Sequence, residues 1–215
     1  MFGINMSITH NGITVFLRPL TKSDLPVLVE HFSSMKIHLY TQGLYSQTLE
    51  NEEEWFDNKR KSEDDCVWAI QPAESQVPIG VTALHHLTSS LYNTCSSGIV
   101  IWDDKWWGRG VASATHLGRT LFAADFLNRL TISSQVRVPN VASRKALERI
   151  GYTIWGEEPV SSLRHGEWLD TYHLKWFHPT KSVVFYPHGI PSFLHDGIAK
   201  AKTALDLARF EVQFP

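Results

Sequence analysis

The sequence is short of cysteine, of surplus charge and of long apolar runs, and each shortage excludes a class of protein. Its 215 residues contain two cysteines, Cys66 and Cys95, too few for a disulfide framework and without metal-ligand spacing. The formal net charge of −2 excludes the basic surface that nucleic acids require. No apolar run could span a bilayer, and residues 1–6 lack the basic start of a secretory signal. These shortages predict a cytoplasmic protein with neither a membrane nor a nucleic-acid partner.

The composition is otherwise that of a folded domain, with 43% hydrophobic and 20% charged residues. The 11 histidines form no zinc pattern such as His-Glu-x-x-His, so no metal site is expected. Residues 1–178 carry regular patterns and are predicted to form one domain. Residues 179–215 are predicted to be a C-terminal extension with one amphipathic helix at 198–210. Its apolar stripe suits docking on the domain or on a second copy, which leaves a homodimer open.

The patterns along residues 1–178 predict an α/β fold of the α+β type. Strands are predicted over residues 13–18, 67–71, 79–86, 98–102, 130–138, 152–155 and 168–177, and helices over about 21–32, 49–61, 111–126 and 141–150. The apolar run at 98–102 indicates a strand buried on both faces. This order of elements predicts a mixed, mostly antiparallel twisted sheet flanked by helices.

One strand leads into a glycine-containing loop that opens a helix. The stretch reads Lys105-Trp-Trp-Gly-Arg-Gly-Val-Ala112, and Gly108 and Gly110 let the backbone approach a bound anion closely. Unpaired N–H groups at a helix N-terminus suit a phosphate or pyrophosphate. Neither a Gly-Lys-Ser/Thr sequence nor a full Gly-x-Gly-x-x-Gly pattern is present. The loop therefore predicts an anion site of another kind, with a plain tight turn as the alternative.

A second motif, about thirty residues further on, favours the anion site over a plain tight turn. Asn140 and Ser143 open a short helix, and Gly151 and Tyr152 follow it. In combination with Lys105-x-x-Gly-x-Gly110, this order closely resembles the GNAT superfamily, especially the branch of ribosomal-protein alanine and polyamine acetyltransferases. Lys105 replaces the Gln or Arg that usually opens the first motif. The resemblance covers roughly residues 13–177.

The resemblance implies acetyl-CoA as co-substrate. The CoA pyrophosphate would lie on the loop amides, and the pantetheine would pair with the strand before the loop like an added strand. Asn140 would bond the pantetheine, and Arg144 or Lys145 would meet the nucleotide phosphates. The residues implied in CoA binding are Ile99, Val100, Ile101, Lys105, Trp106, Trp107, Gly108, Arg109, Gly110, Val111, Ala112, Asn140, Ser143 and Arg144.

In such enzymes an amine attacks the thioester directly, so a proton must first leave the ammonium group. Many relatives carry Ala-Glu-x-Gly where this chain has Cys95-Ser-Ser-Gly98, so the usual carboxylate base is missing. His85 and His86 are the candidate replacements, and strand alternation would point only one of them into the cleft. The acidic pair 103–104 and catalysis by positioning alone are alternatives. Ser143 would lie near the CoA sulfur, where it protonates or orients the thiolate.

The sequence does not specify the acceptor amine. Its pocket is expected in the irregular segment 34–46 and around Tyr40, Trp55 and Trp68, whose rings could stack on a cation. The predicted function is acetyl-CoA-dependent N-acetylation of a primary amine, on a protein N-terminus or a small molecule. Two alternatives stay open. One is a non-catalytic acyl-CoA-binding module, suggested by the missing glutamate, and the other is binding of a different nucleotide on the same loop.

Overall fold

The computed structural model describes residues 1–41, 45–88 and 92–215, whose strands form one sheet. The strands are β1 (Met6–His10), β2 (Ile13–Arg18), β3 (Asp65–Pro72), β4 (Gly80–His85), β5 (Thr94–Ile101), β6 (Thr131–Arg137), β7 (Thr153–Arg164), β8 (Glu167–Phe177) and β9 (Val212–Gln213). Their order across the sheet is β7-β8-β6-β5-β4-β3-β2-β1-β9. Neighbouring strands are antiparallel except β5 and β6, which run parallel.

Helices cover both faces of this sheet. They are α1 (Leu25–Phe32), α2 (Met35–His38), α3 (Leu49–Lys61), α4 (Val111–Leu121), α5 (Val141–Arg149) and α6 (Ser192–Glu211). The larger core lies between the sheet and helices α4 and α6, and includes Trp68, Leu117 and Leu205. A smaller core under α1 and α3 includes Leu28 and Phe56. Among the described residues, no helix is long and apolar enough to cross a membrane.

The predicted fold class is confirmed, and local signals placed several elements well. Helix α3 spans the predicted residues 49–61, because Thr48 accepts a hydrogen bond from the Asn51 N–H (3.3 Å) and Glu50 and Glu52 fill the first turn. Strand β1 lies outside the prediction. It forms a hairpin with β2 through Asn11 and Gly12, both at positive φ, which is a recognised hairpin signal.

The β7–β8 hairpin is longer than predicted, because residues 156–164 continue the first of its strands. Pro159 interrupts the alternating pattern there, and the pairing slips between Glu158 and Ser162. Gly166 (φ +81°) forms the turn, as the sequence predicts. The far end of the hairpin returns to α2, where the Arg164 side chain donates to the carbonyl oxygens of His38 (3.2 Å) and Thr41 (2.9 Å).

Helix α6 packs against the sheet and α4 through small residues. Its buried stripe consists of Leu194, Gly197, Ala201, Leu205 and Ala208. The backbone of Gly151 (φ +98°) packs directly against the backbone of α6, and a Cβ atom on Gly151 would lie 2.4 Å from the nitrogen of Ala201. Strand β9 then pairs with β1. Residues 192–213 therefore share a core and a sheet with the rest of the chain, and the predicted stripe docks on the chain itself.

Candidate functional site

The two parallel strands at the centre of the sheet separate after three residue pairs. Their ladder joins Thr94–Ser96 of β5 to Thr131–Ser133 of β6 and ends there. Beyond that point β5 stays paired with β4 as far as Ile101, and β6 stays paired with β8 as far as Arg137. A wedge-shaped opening therefore interrupts the sheet. The predicted burial of residues 98–102 on both faces is wrong, because residues 99–101 border this opening and are only partly buried.

A cavity of about 530 Å³ occupies the opening. Its wall is formed by β5, the loop before α4, the first turn of α4, and helices α2 and α5. The lining residues are Lys36, Ile37, Tyr40, Thr41, Ile99, Val100, Ile101, Trp106, Trp107, Gly108, Gly110, Val111, Ala112, Ser113, Pro139, Asn140, Val141, Ala142, Ser143, Lys145, Ala146 and Arg149. The two sequence motifs, separated in the chain, thus meet on one cavity.

The loop before α4 presents backbone N–H groups to this cavity. Gly108 (φ +74°) and Gly110 (φ +88°) adopt the left-handed conformation that favours glycine. Gly110 is the N-cap of α4, and the first helical bond runs from the Ala114 N–H to the Gly110 oxygen. The preceding N–H groups of the first turn have no intrahelical acceptor, and glycine has no side chain to cap them. This arrangement suits an anion.

The charged side chains on the described cavity wall are all basic: Lys36, Lys145 and Arg149. Three basic residues that the sequence assigned to CoA, Lys105, Arg109 and Arg144, are not among the lining residues. Arg109 stacks on the Trp106 ring at 4.5 Å and pairs with Glu74 (3.2 Å). Arg144 pairs with Glu148 (3.8 Å). The positive charge at the cavity therefore comes from Lys36 of α2 and from Lys145 and Arg149 of α5.

Trp107 closes the outer end of the opening. Its indole Nε1 donates to the carbonyl oxygen of Ile101 at 2.9 Å. The Lys36 ammonium lies 5.1 Å from the Trp107 ring centroid and 2.5 Å from the Asp104 carboxylate. The backbone of Ile101, one of the groups expected to pair with pantetheine, is thus already bonded to the loop.

The aromatic residues expected at the acceptor pocket have three different placements. Tyr40 lines the cavity. Trp55 packs, partly buried, on the smaller core. The expected contact of Trp68 is corrected, because its ring is 0% exposed and its Nε1 donates to the Ile4 carbonyl (2.9 Å). Of the segment 34–46, residues 42–44 lie outside the described residues.

His85 forms a dyad with a carboxylate on the next strand. Asp65 of β3 is its cross-strand partner, and the Asp65 Oδ1 lies 2.5 Å from the His85 Nδ1. Burial alone would raise the pKa of Asp65, but hydrogen bonds from His85, Lys59 and Ser62 outweigh it and lower that pKa to about 2. An ionised carboxylate can only accept, so Nδ1 carries a proton, and in the neutral imidazole the lone pair is on the His85 Nε2.

Both histidines lie beside the position of the missing glutamate. His85 is the cross-strand partner of Ser96, so their side chains share one face of the sheet. His86 (φ +61°) follows the end of β4, and its Nδ1 lies 2.9 Å from the Ser96 Oγ. Strand alternation was expected to point only one of the two histidines into the cleft. This argument does not apply to His86, because β4 ends at His85. Neither histidine lines the cavity described above.

The second motif positions α5 at the cavity. The Asn140 Oδ1 accepts from the Ser143 N–H (3.2 Å) and so caps α5, and both residues line the cavity. Tyr152 is buried, 3.4 Å from the Ser97 Oγ, and burial raises the pKa of its phenol. No three metal-ligating side chains converge among the residues that the structure describes.

The Asp65 interactions predict an acid-dependent contribution to stability. Because the folded-state pKa of about 2 is below the unfolded value near 4, this contribution is complete above about pH 4 and is lost as the pH falls towards 2. We expect Asp65→Asn to lower the free energy of unfolding by about 1 kcal/mol at pH 7, after discounting for partial exposure. Urea titrations at pH 7, 4 and 2.5 would measure this difference. A difference that stays constant with pH would contradict the assignment.

Comparison with known proteins decides the family. Residues 14–153, well over half of the chain, match the acetyltransferase (GNAT) domain. The chain belongs to the GNAT acetyltransferase family. The N-acetyltransferase predicted from the two motifs is thereby confirmed at the level of the family. No curated protein sequence matches this chain.

Solved GNAT structures share the fold at low sequence identity. Spermidine N-acetyltransferase from Vibrio cholerae, in complex with CoA and spermine, is 20% identical over 76% of this chain and 95% of its own, with a TM-score of 0.68. A GNAT-family acetyltransferase from Bacillus anthracis is 16% identical over 81% of this chain and 98% of its own, with a TM-score of 0.66. A Vibrio cholerae protein assigned as a ribosomal-protein-serine acetyltransferase is 18% identical over 80% of this chain and 97% of its own, with a TM-score of 0.62. The two Vibrio cholerae neighbours carry the names of polyamine and ribosomal-protein acetyltransferases, the branch that the motifs resemble, and at this identity they share its fold.

Among the residues that the sequence prediction missed are Asp65, the partner of His85, and Arg149 on the cavity wall. Asp65 lies 20 positions before His85, and only the register of β3 with β4 brings the two together. Arg149 ends α5, where a basic residue is common for electrostatic reasons alone. Arg149 lies eight residues after Val141, about two helical turns along α5, and this spacing could have predicted that both residues face the cavity.

Proposed function

We propose that this GNAT protein transfers the acetyl group of acetyl-CoA to a primary amine by direct attack of the amine on the thioester. The observation that carries the proposal is the 530 Å³ cavity, which joins an opened sheet to an uncapped helix N-terminus. An extended chain with an amide backbone fits an opened sheet, and a pyrophosphate fits a helix N-terminus. Acetyl-CoA combines both chemistries in one molecule.

The proposed CoA contacts follow the cavity wall. The pyrophosphate lies on the amides of residues 108–113, and the pantetheine lies along residues 99–101 of β5. Lys145 and Arg149 are the basic side chains available to its phosphates, in place of Arg144. The Asn140 side chain uses its oxygen as the cap of α5 and keeps its amide N–H groups for the pantetheine.

His85 is the proposed general base. Its Nε2 lies 3.8 Å from the point where a Cβ atom on Gly98 would be, and Gly98 directly precedes the cavity wall. Because Gly98 has no side chain, the space between the imidazole and the end of the opening is clear. The side chain of His85 is 35% exposed, so an amine or a bridging water can reach it. Asp65 fixes the tautomer that leaves Nε2 as the acceptor.

The proposed reaction balances as an acyl transfer. The amine nitrogen forms a bond to the thioester carbon while the carbonyl π electrons move onto oxygen. The proton of the nitrogen passes to the His85 Nε2, directly or through one water. An electron pair of the oxyanion then re-forms the carbonyl as the C–S bond breaks, the bonding pair leaves on sulfur, and the thiolate takes up a proton. Ser143, which lines the cavity, is the proposed hydroxyl for that last step.

The acceptor is proposed to be a primary amine on a small molecule or a peptide. One solved neighbour holds spermine together with CoA, which supports a small cationic amine. Three aromatic residues line the described cavity wall: Tyr40, Trp106 and Trp107. Trp106 and Trp107 already contact Arg109 and Lys36, so Tyr40 is the proposed contact for the acceptor cation. The non-catalytic alternative rested on the missing glutamate. The dyad of His85 and Asp65 on the same face supplies a base in its place, and this supports turnover.

Titration calorimetry with acetyl-CoA and CoA, followed by thiol-release assays on a panel of amines, tests the proposal. We expect Gly110→Trp to weaken CoA binding about 30-fold, because the indole would displace the anion from two or more charge-assisted N–H contacts worth about 2 kcal/mol. Gly12→Trp is the matched control. Gly12 is also at positive φ (+80°), with nothing within 4 Å of its Cβ position, but it lies in the β1–β2 turn.

Three results would count against the proposal in different ways. Failure of the wild type to bind acetyl-CoA would overturn it outright. Equal weakening by both tryptophan variants would show that the loop is not the anion site. Tight binding with no thiol release on any amine would favour the non-catalytic module.

A further inference from the structure

A fully buried arginine lies directly beneath the strand that forms the cavity wall. Arg119 of α4 is 0% exposed. Its Nη1 donates to the Thr82 Oγ1 (2.8 Å) and to the carbonyl oxygen of Gly98 (2.9 Å). Its Nη2 lies 2.9 Å from the His116 Nδ1. The guanidinium therefore bonds to β5 at the residue directly before the cavity wall.

This charge lacks a carboxylate partner among the described residues. No ion pair within the described ranges involves Arg119. The groups that contact its guanidinium are neutral: the Thr82 hydroxyl, the Gly98 carbonyl, the His116 imidazole and the Tyr152 phenol. Burial, and then the Arg119 charge, hold the pKa of His116 well below its ordinary value, so His116 is neutral. Burying an arginine without a counter-ion costs several kcal/mol, and an apolar residue of similar size would avoid that cost. Packing alone therefore does not explain the residue.

The Gly98 carbonyl belongs to the peptide whose other end is the Ile99 N–H. In a trans peptide the C=O and N–H point in opposite directions. The Trp102 N–H donates to the Ile79 carbonyl of the β4 side, so by alternation Ile99 and Ile101 direct their polar groups away from β4. Two hydrogen bonds on the side of β5 away from β4 are consistent with this alternation. The Ser97 oxygen accepts from Ser134 of β6 (3.3 Å), and the Ile101 oxygen accepts from Trp107. The Ile99 N–H thus points into the opening.

We propose that Arg119 is a positioning residue that polarises the Gly98–Ile99 peptide and so strengthens the Ile99 N–H as the donor to the thioester oxygen. The inference rests on the proposed acetyl transfer. A cation bonded to one end of an amide increases the donor strength of the other end, and this effect is larger away from water. Negative charge develops on the thioester oxygen during attack, so a stronger donor favours the transition state over the bound substrate.

The test is the carbonyl stretching frequency of acetyl-CoA carrying ¹³C in its acetyl carbonyl, measured by difference infrared spectroscopy on the bound complex. We expect the wild type to shift this band to lower frequency, and Arg119→Met to lose most of the shift. Arg119→Lys keeps the charge and should retain much of it. In turnover, Arg119→Met should lower kcat about tenfold while the Kd for CoA changes little.

Arg119→Gln is a second charge-free variant, and it carries the test if Arg119→Met does not fold. A wild-type carbonyl frequency in a folded charge-free variant would overturn the proposal. So would equal loss of the shift in the lysine and charge-free variants, since that would indicate a purely structural role. The spectrum needs no amine. A protein that binds acetyl-CoA but acetylates nothing would therefore refute the proposed activity and still decide the role of Arg119.

Discussion

Replacing His85 with glutamine is expected to lower kcat/KM for amine acetylation by about 10²–10³-fold. The variant keeps a polar side chain beside Gly98 but has no group that can take up the proton of the attacking nitrogen. The loss should fall mainly on kcat, with the Kd for acetyl-CoA unchanged, because neither histidine lines the cavity. Thiol release measured from pH 6 to 9 would quantify it. The difference from wild type should shrink at high pH, where hydroxide and free amine replace the base.

His86→Gln is the control for this experiment. His86 is the neighbouring imidazole, with ring centroids 6.4 Å apart, and it bonds to Ser96 but has no carboxylate bond in the described structure. We expect a change of a few-fold at most. Asp65→Asn should lie between the two, because the amide no longer holds the proton on Nδ1. If His86→Gln proves the more damaging, or if His85→Gln keeps a tenth of wild-type activity, His85 is not the base.

Replacing Gly151 with alanine is expected to lower the free energy of unfolding by about 3 kcal/mol. About 1 kcal/mol comes from the left-handed backbone, since φ is +98°. The rest comes from steric overlap, because a Cβ atom would lie 2.4 Å from the nitrogen of Ala201 and 2.6 Å from the Gly197 oxygen. These are backbone atoms of α6, so the helix as a whole must shift to make room.

Gly166→Ala separates the two causes. Gly166 also has a positive φ, +81°, but nothing lies within 4 Å of its Cβ position in the β7–β8 turn. It should therefore show only the backbone cost of about 1 kcal/mol. Urea unfolding monitored by tryptophan fluorescence would measure both variants. Equal losses would mean that α6 does not press on Gly151 in solution.

The local structure of the two motifs follows from short-range sequence. Gly108 and Gly110 stand next to the helix they open, and Asn140 caps the helix that follows it, whereas the assignment of both motifs to CoA rests on the resemblance to the GNAT superfamily. The sequence analysis places Trp68 at the acceptor pocket because its ring could stack on a cation. The face of a strand that meets the larger helices depends on packing, and here that face places the indole at 0% exposure.

The parts that depend on strand register could not be predicted in this way. Asp65 meets His85 only through the pairing of β3 with β4, and Arg119 meets the Gly98 carbonyl only through the fit of α4 beneath β5. A lone arginine in a helix ordinarily lies on the surface, so its sequence context gave no sign of burial. The opening between β5 and β6 leaves no mark on the pattern of either strand, and only the GNAT resemblance implies it, through the pantetheine expected to pair with β5.

The pairing of β9 with β1 also bears on how the chain reaches this structure. Ser7 and Ile8 pair with Gln213 and Val212, and beside them the His10 Nδ1 meets the Glu211 Oε2 at 2.8 Å across 201 positions of sequence. Contacts of such long range form late and slow folding, since most of the chain must be ordered before the loop can close. During synthesis on the ribosome, β1 would thus present an unsatisfied edge until residues 212 and 213 emerge. An open strand edge favours pairing with other chains, and this is a consequence of the topology, independent of catalysis.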